Sequence, residues 1–185
     1  MKLVFMVEEI SMKVCLETLL PKIFSGHTDE VSCLVLAFHG KGDLENQIPI
    51  KLRGWGEPDT KFVILRDQDN EDCRKVKSGL VSLSNGFDRE VLVRVVCHEL
   101  EAWYFGDLQA VSKAYGKDLT GCANKKQFRE PDAMISPKKR LQSLLPEHQQ
   151  IAGARAIAPH MDVERNTSES FQQFVSGVRR LAGVD

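Results

Sequence analysis

No apolar run in the chain approaches the roughly 18 to 20 residues that a bilayer-crossing helix needs, so no membrane span is expected. The opening MKLVFMVEEI carries charge where a secretory leader has its apolar stretch, and no small-residue cleavage site follows. The expected location is therefore the cytoplasm. The cysteines number five, at positions 15, 33, 73, 97 and 122, with no CxxC pair. An odd, widely spaced set fits reduced thiols better than a disulfide frame or a zinc knot. Three of them lie in apolar runs and are read as core. Charge of either sign is not in excess: the net value of -1 gives no global pull toward nucleic acid or anionic lipid, so any polyanion contact must be local. Tyrosines are scarce; the two present, Tyr104 and Tyr115, both fall in expected helical packing. Internal repeats and low-complexity tracts are absent.

What is present is ordinary globular material, 42% hydrophobic and 28% charged, in a length of 185 residues that suits one well-filled core. Four apolar runs stand out, LVFMV (3–7), VSCLVLAF (31–38), FVILR (62–66) and VLVRVVC (91–97). Three are nearly continuous in Val, Ile, Leu and Phe, as strands covered on both faces of a parallel sheet are. Helical periodicity fills the gaps, with Ser11, Asp43 and either Asp69 or Asn70 as candidate caps and Pro49 in or near the second helix's first turns. Past residue 99 the strand signal stops. ELEAWYFGDLQAVSKAY predicts one or two helices broken near Gly106 and Asp107, residues 116–137 predict a loop, and short helices capped at Ser136 and Ser168 follow. The expected fold class is α/β, a mainly parallel four-stranded sheet flanked by helices. Residues 1–106 form its core and 107–185 a helical extension packed on it.

Ligands of open parallel sheets bind beyond the carboxyl ends of the strands. Three of the four runs end in acids here: Glu8 and Glu9, then Asp67 and Asp69, then Glu99 and Glu101 beside His98. If the chain stays extended, Asp67 and Asp69 project to one side. Two carboxylates at ~5 Å repel by about 3 kcal/mol at an effective dielectric near 20, and Glu8 would add to it. A divalent cation removes that repulsion. Hard oxygen ligands without clustered Cys or His favour Mg2+, with Mn2+ as a substitute. Helix capping is the competing reading, and it accounts for one acid rather than the set.

The Glu at the end of the first run (VFMVEE) and the DxD after the third (ILRDQD), in a strand-helix alternation, resemble the Toprim fold of topoisomerases, bacterial primases and OLD-family nucleases. The resemblance implies that Glu8 is a general acid or base and that Asp67 and Asp69 bind Mg2+. MVEEISMK, GKGDLENQIPIKLRGW, ELEAWYFGDL and GARAIAPHMD extend the likeness to a bacterial Toprim-like family of about this length, over most of the chain. Its members are often encoded beside OLD or SMC-like ATPases, which implies antiphage or DNA-processing roles. Glu9 and Ile10 stand where a Toprim turn has Gly, and Met12 stands where OLD enzymes have a second acid. Glu9, Glu99 or Glu101 is left to supply that charge.

HGKGD (39–43) lacks the P-loop spacing, yet Lys41 and two glycines at a helix start could meet a phosphate as readily as form a plain turn. His98 and Glu101, three apart, could share one face toward the site. Leu100, Trp103 and Tyr104 are expected to pack, as are Phe171, Phe174, Val178 and Leu181. Lys117, Lys125, Lys126, Arg129, Lys138, Lys139 and Arg140, followed by Arg155 and His160, suit either a solvated face or a phosphate-tracking surface. The functional expectation is a Mg2+-dependent nuclease or phosphoryl-transfer enzyme acting on nucleic acid. The alternative is a non-catalytic Toprim-like module that binds an ATPase partner or nucleic acid. Glu8, Asp67 and Asp69 are the candidate catalytic set of the enzyme reading. Glu99 and Glu101 are further metal ligands, and Lys41, Glu9 and His98 are substrate contacts. Candidate partners are nucleic acid, an AAA, OLD or SMC-like ATPase and a second copy of the chain, with no membrane among them.

Overall fold

The computed structural model describes residues 1–125 and 128–184, so Lys126 lies outside the described residues. The four apolar runs are strands: β1 (Lys2–Val7), β2 (Ser32–Ala37), β3 (Thr60–Asp67) and β4 (Val91–Val96). They form one all-parallel sheet in the order β2-β1-β3-β4. Leu3 to Val7 have no exposed surface, because β1 is central and covered on both faces. β2 is an edge and exposes Ser32, Cys33 and Leu34, so Cys33 is not the core residue its apolar run suggests. Cys15 is buried as expected.

Alternation sorts the strand residues between two cores. Leu3, Phe5, Val7, Val63 and Leu65 face one, and Val4, Met6, Phe62 and Ile64 the other. Helices α1 (Ile10–Ile23), α2 (Lys41–Gly54) and α3 (Cys73–Ser84) connect the strands. The path runs from β1 outward to β2, then back across β1 to β3. Right-handed crossovers therefore put α1 on one face and α2 and α3 on the other, as the two cores show.

The predicted break near Gly106 and Asp107 separates α4 (Glu101–Phe105) from α5 (Leu108–Tyr115), with the Asp107 carboxylate accepting from Ala110 N–H at 3.2 Å. The 116–137 segment holds two 3-10 turns, Thr120–Asn124 and Pro131–Ala133. Then come α6 (Pro137–Leu144), α7 (Gln150–Ile157) and α8 (Glu169–Ala182). No periodic run of large apolar residues marks α7; its inner side is Gly153, Ala154 and Ile157. These helices share one apolar cluster with α1 and the Leu3 face of the sheet. Trp103 sits at its centre, 5.0 Å from the Phe171 ring and 5.2 Å from Phe174, with its indole N–H donating to Ser170 Oγ. Trp103 and the apolar face of α8 are thus core.

Several caps differ from expectation. Ser168 caps α8 as predicted, but Asp72, not Asp69 or Asn70, caps α3 by accepting from Lys75 N–H at 2.9 Å. Ser11 lies inside α1 and donates to Glu9 Oε1, which leaves Glu9 in the cap position. Asp43 lies in the first turn of α2, where it accepts from His39 N–H at 2.9 Å; Gly40, at φ +88, is the residue that opens this helix. Ser136 precedes α6 without a cap bond. Pro49 lies well inside α2, where it removes one backbone donor.

Gly106 lets α4 and the segment before α8 meet. A Cβ there would stand 2.1 Å from Asn166 Oδ1 and 2.9 Å from Ser168 N. Gly79, exposed on α3, has open space instead. Gly106→Ala is expected to cost about 1–3 kcal/mol through overpacking, whereas Gly79→Ala gains about 0.5–1 kcal/mol of helix propensity. Urea denaturation of the two variants checks this: their midpoints should move in opposite directions.

Candidate active site at the strand ends

The reversal of strand order at β1 sets a topological switch point, the place where open parallel sheets have their ligand crevice, between the carboxyl ends of β1 and β3, where the connecting helices leave to opposite faces. The acids of both strands meet there. Asp67 is the last residue of β3 and Glu8 follows β1, whose register with β3 sets Val7 opposite Leu65. Asp69 does not stay extended. It turns to φ +55, and His98, beyond the end of β4, turns to φ +58. The two are tied together: Asp69 N–H donates to the His98 carbonyl at 2.7 Å, and His98 Nδ1 lies 3.3 Å from the Asp69 carbonyl. A carbonyl only accepts, so Nδ1 is the donor in that contact, and a ring carrying a single proton has its lone pair on Nε2. Left-handed backbone at two non-glycine residues carries a cost of order 1 kcal/mol each, a strain typical of functional sites.

The four acids between residues 67 and 72 have separate uses. Asp72 caps α3. Glu71 is bound by Lys41 Nζ, at 3.0 Å, and by the Arg66 guanidinium. Asp67 and Asp69 have no cation partner among the described residues. Asp67 is buried, and its Oδ1 has no hydrogen-bond donor. Burial pushes its carboxyl well above the usual range, and the charges of Glu101, Glu9, Glu8 and Asp69 push it further. Glu8 is raised in the same way, by burial first and then by Asp69, against the pull of Arg66. Its Oε2 is also buried without a donor, 3.7 Å from Arg66 Nε.

Arg66 escaped the sequence reading because it closes an apolar run. It is almost wholly buried, and its fork reaches Glu45 Oε1 at 2.8 Å as well as Glu71 and Glu8. Together with Lys41 it offsets the acids on the α2–α3 side of the crevice; among the described residues no Lys or Arg forms an ion pair with Asp67.

The remaining candidates divide. Glu101 is 3% exposed, and its charge is the largest of those that raise Asp67. Glu9 Oε1 accepts from Ser11 Oγ and from Gln150 Nε2 at 3.2 Å, so it is tied to α7 while still acting on Asp67. Its backbone, at φ -146, is extended and needs no glycine. Met12 is core, so no acid can occupy that position. Glu99 has a different use: Oε2 accepts the Lys138 N–H at 2.9 Å, fastening the start of α6 to the end of β4. Lys41 is exposed at the rim, bound to Glu71 and within charge range of Asp69.

Among the described residues, no three His, Cys, Asp or Glu side chains form a group already arranged to hold a metal ion. The donor set nevertheless suits a hard cation. Mg2+ is commonly held by one or two carboxylates, with water or substrate oxygens completing its shell. The two buried carboxylate oxygens without donors, on Asp67 and Glu8, are what such an ion would use.

The fold and this site define a doubly wound α/β protein, of Rossmann-like and Toprim-like architecture, with an acidic crevice at its topological switch point. A family model covers residues 7–179, and the chain belongs to that family, the domain of unknown function DUF4276. No curated protein and no solved structure matches it. Among the described residues no helix is long and apolar enough to cross a membrane.

Because the Asp67 carboxyl is raised in the folded chain, the folded state binds more protons than the unfolded one above about pH 4. Its contribution to stability is complete below that pH and is lost as pH rises through the raised value. Asp67→Asn is therefore expected to melt higher than wild type at pH 7 and to show no such gain below about pH 4. Each 1 kcal/mol appears as roughly 2–4 °C at this length. Thermal melts of both proteins across that range, without divalent ions, check the sign.

Proposed function

We propose that the protein is a Mg2+-dependent, Mn2+-tolerant phosphodiester hydrolase of Toprim type acting on nucleic acid, serving as effector in an ATPase-containing antiphage or DNA-processing system. The observation that carries this reading is the pair of buried, donor-less oxygens, Asp67 Oδ1 and Glu8 Oε2, at the switch point of the sheet. Asp67 and Asp69 hold the cation, with Glu8 and Glu101 beside them. When bound, the cation supplies positive charge to phosphate oxygens and makes a water more acidic.

Glu8 moves the proton. Its raised carboxyl has the affinity a proton carrier needs nearer neutrality, and Arg66 keeps that carboxylate in place. His98 Nε2, with its lone pair, and Lys41 are rim groups for substrate contact. Lys138, Lys139 and Arg140, at the start of α6, lie where Glu99 fastens that helix to the strand end, which suits a polyanion running past the crevice. Tyr104 is enclosed in the core and Tyr115 is bonded to His148, so neither phenol is presented as a covalent nucleophile. That favours hydrolysis over strand passage.

A second reading, a non-catalytic module binding an ATPase or nucleic acid, draws on one observation. Arg66 already serves three acids at the strand ends, Glu8, Glu45 and Glu71. Incubation of wild type, Asp67→Ala and Asp69→Ala with labelled DNA and RNA in Mn2+, with and without the partner ATPase, separates the two. Hydrolysis predicts Mn2+-dependent cleavage that both substitutions reduce by at least about 100-fold, on the scale of lost catalytic groups. Cleavage by none of the three, or equal cleavage by all, refutes it.

A further inference from the structure

Behind Glu101 lies a chain of polar groups that the reading above leaves unused. His148 is 2% exposed, and its Nε2 is 3.6 Å from Glu101 Oε1 with no hydrogen-bond partner. On the other side of the ring, Nδ1 is 2.7 Å from the Tyr115 hydroxyl, at the end of α5. A carboxylate only accepts, so a proton on Nε2 would point at Glu101 while the Tyr115 hydroxyl meets Nδ1. Tyr104 packs edge-on to the ring at 6.5 Å and Tyr115 lies tilted at 6.1 Å, so the imidazole is held on its flanks as well.

The space for this ring is provided by one residue. A Cβ on Gly153 of α7 would stand 2.2 Å from His148 Cε1 and 2.5 Å from Nδ1. Burying an imidazole against a carboxylate is costly unless both are well placed. A small residue of α7, the terminal hydroxyl of α5 and a histidine between α6 and α7 are all spent on it. A core that needed only filling would use an apolar side chain here.

We propose that Tyr115 and His148 are positioning residues that hold the Glu101 carboxylate against Asp67, making Glu101 a member of the cation site rather than a buried structural acid. The inference rests on the cation reading of the crevice. The helical extension then completes the site: the sheet supplies Glu8, Asp67 and Asp69, while α5 and the α6–α7 segment set the fourth acid from behind. Supporting residues of this kind, removed, weaken metal affinity by about 10- to 100-fold.

The test titrates full-length protein with Mn2+, reading free ion by electron paramagnetic resonance. It compares wild type, His148→Ala, His148→Gln, Tyr115→Phe and Gly153→Ala, with a metal-free melt of each. Glutamine can present an N–H where histidine Nε2 stands, so His148→Gln should recover most of the affinity that His148→Ala loses, about tenfold or more. Tyr115→Phe should lose severalfold, and Gly153→Ala, which displaces the ring without removing a polar atom, should resemble His148→Ala. Wild-type affinity in His148→Ala, or equal losses in the alanine and glutamine variants, overturns this inference and leaves the cation reading standing. Failure of the wild type to bind Mn2+ overturns both. If His148→Ala does not fold, Tyr115→Phe decides: unchanged affinity overturns the inference.

Discussion

Uncompensated negative charge at the ends of β1 and β3 is the constraint around which this protein is arranged. Parallel strands buried on both faces can end together only at a rim, and this rim carries Glu8, Glu9, Asp67, Asp69 and, from α4, Glu101. At such a rim carboxylates lose water; Asp67 Oδ1 and Glu8 Oε2 gain no donor in exchange, and both carboxyls are pushed toward protonation. A fold selected for stability alone would place amides or hydroxyls there. A cation at that rim is what the proposed function supplies.

The positive charge already present is confined to one side. Arg66, buried and forked among Glu8, Glu45 and Glu71, with Lys41 at its edge, forms a network that leaves Asp67 outside it. Glu8 stands at the boundary, one oxygen near the guanidinium and the same oxygen lacking a true hydrogen bond. This divides the labour of the site. One side carries both cations of the network, and the other, backed by His148, has none paired with Asp67 among the described residues.

Much of the fold was legible in the sequence. All four strands announce themselves by apolar runs, Gly106 and Asp107 mark the break before α5, and Ser168 marks the helix start that it caps. The acids were legible because they interrupt those runs where a parallel sheet places its ligands. Local spacing was less informative. Asp67 and Asp69 are not the extended pair their spacing suggests, because Asp69 takes a left-handed turn. Glu99 looks like its neighbours in sequence and yet fastens α6. Arg66, Glu45 and His148 were illegible, since their meaning lies in contacts between elements far apart along the chain. Helix α7 was missed because close packing against its neighbours, made possible by Gly and Ala, leaves no hydrophobic period to detect.

The central claim is that Asp67 and Glu8 form part of one cation site, and crystals grown or soaked with Mn2+ test it most directly. The account predicts an anomalous difference peak within coordination distance of an Asp67 oxygen, in the crevice shared with Glu8. A peak confined to surface acids elsewhere, or none at millimolar Mn2+, would contradict it.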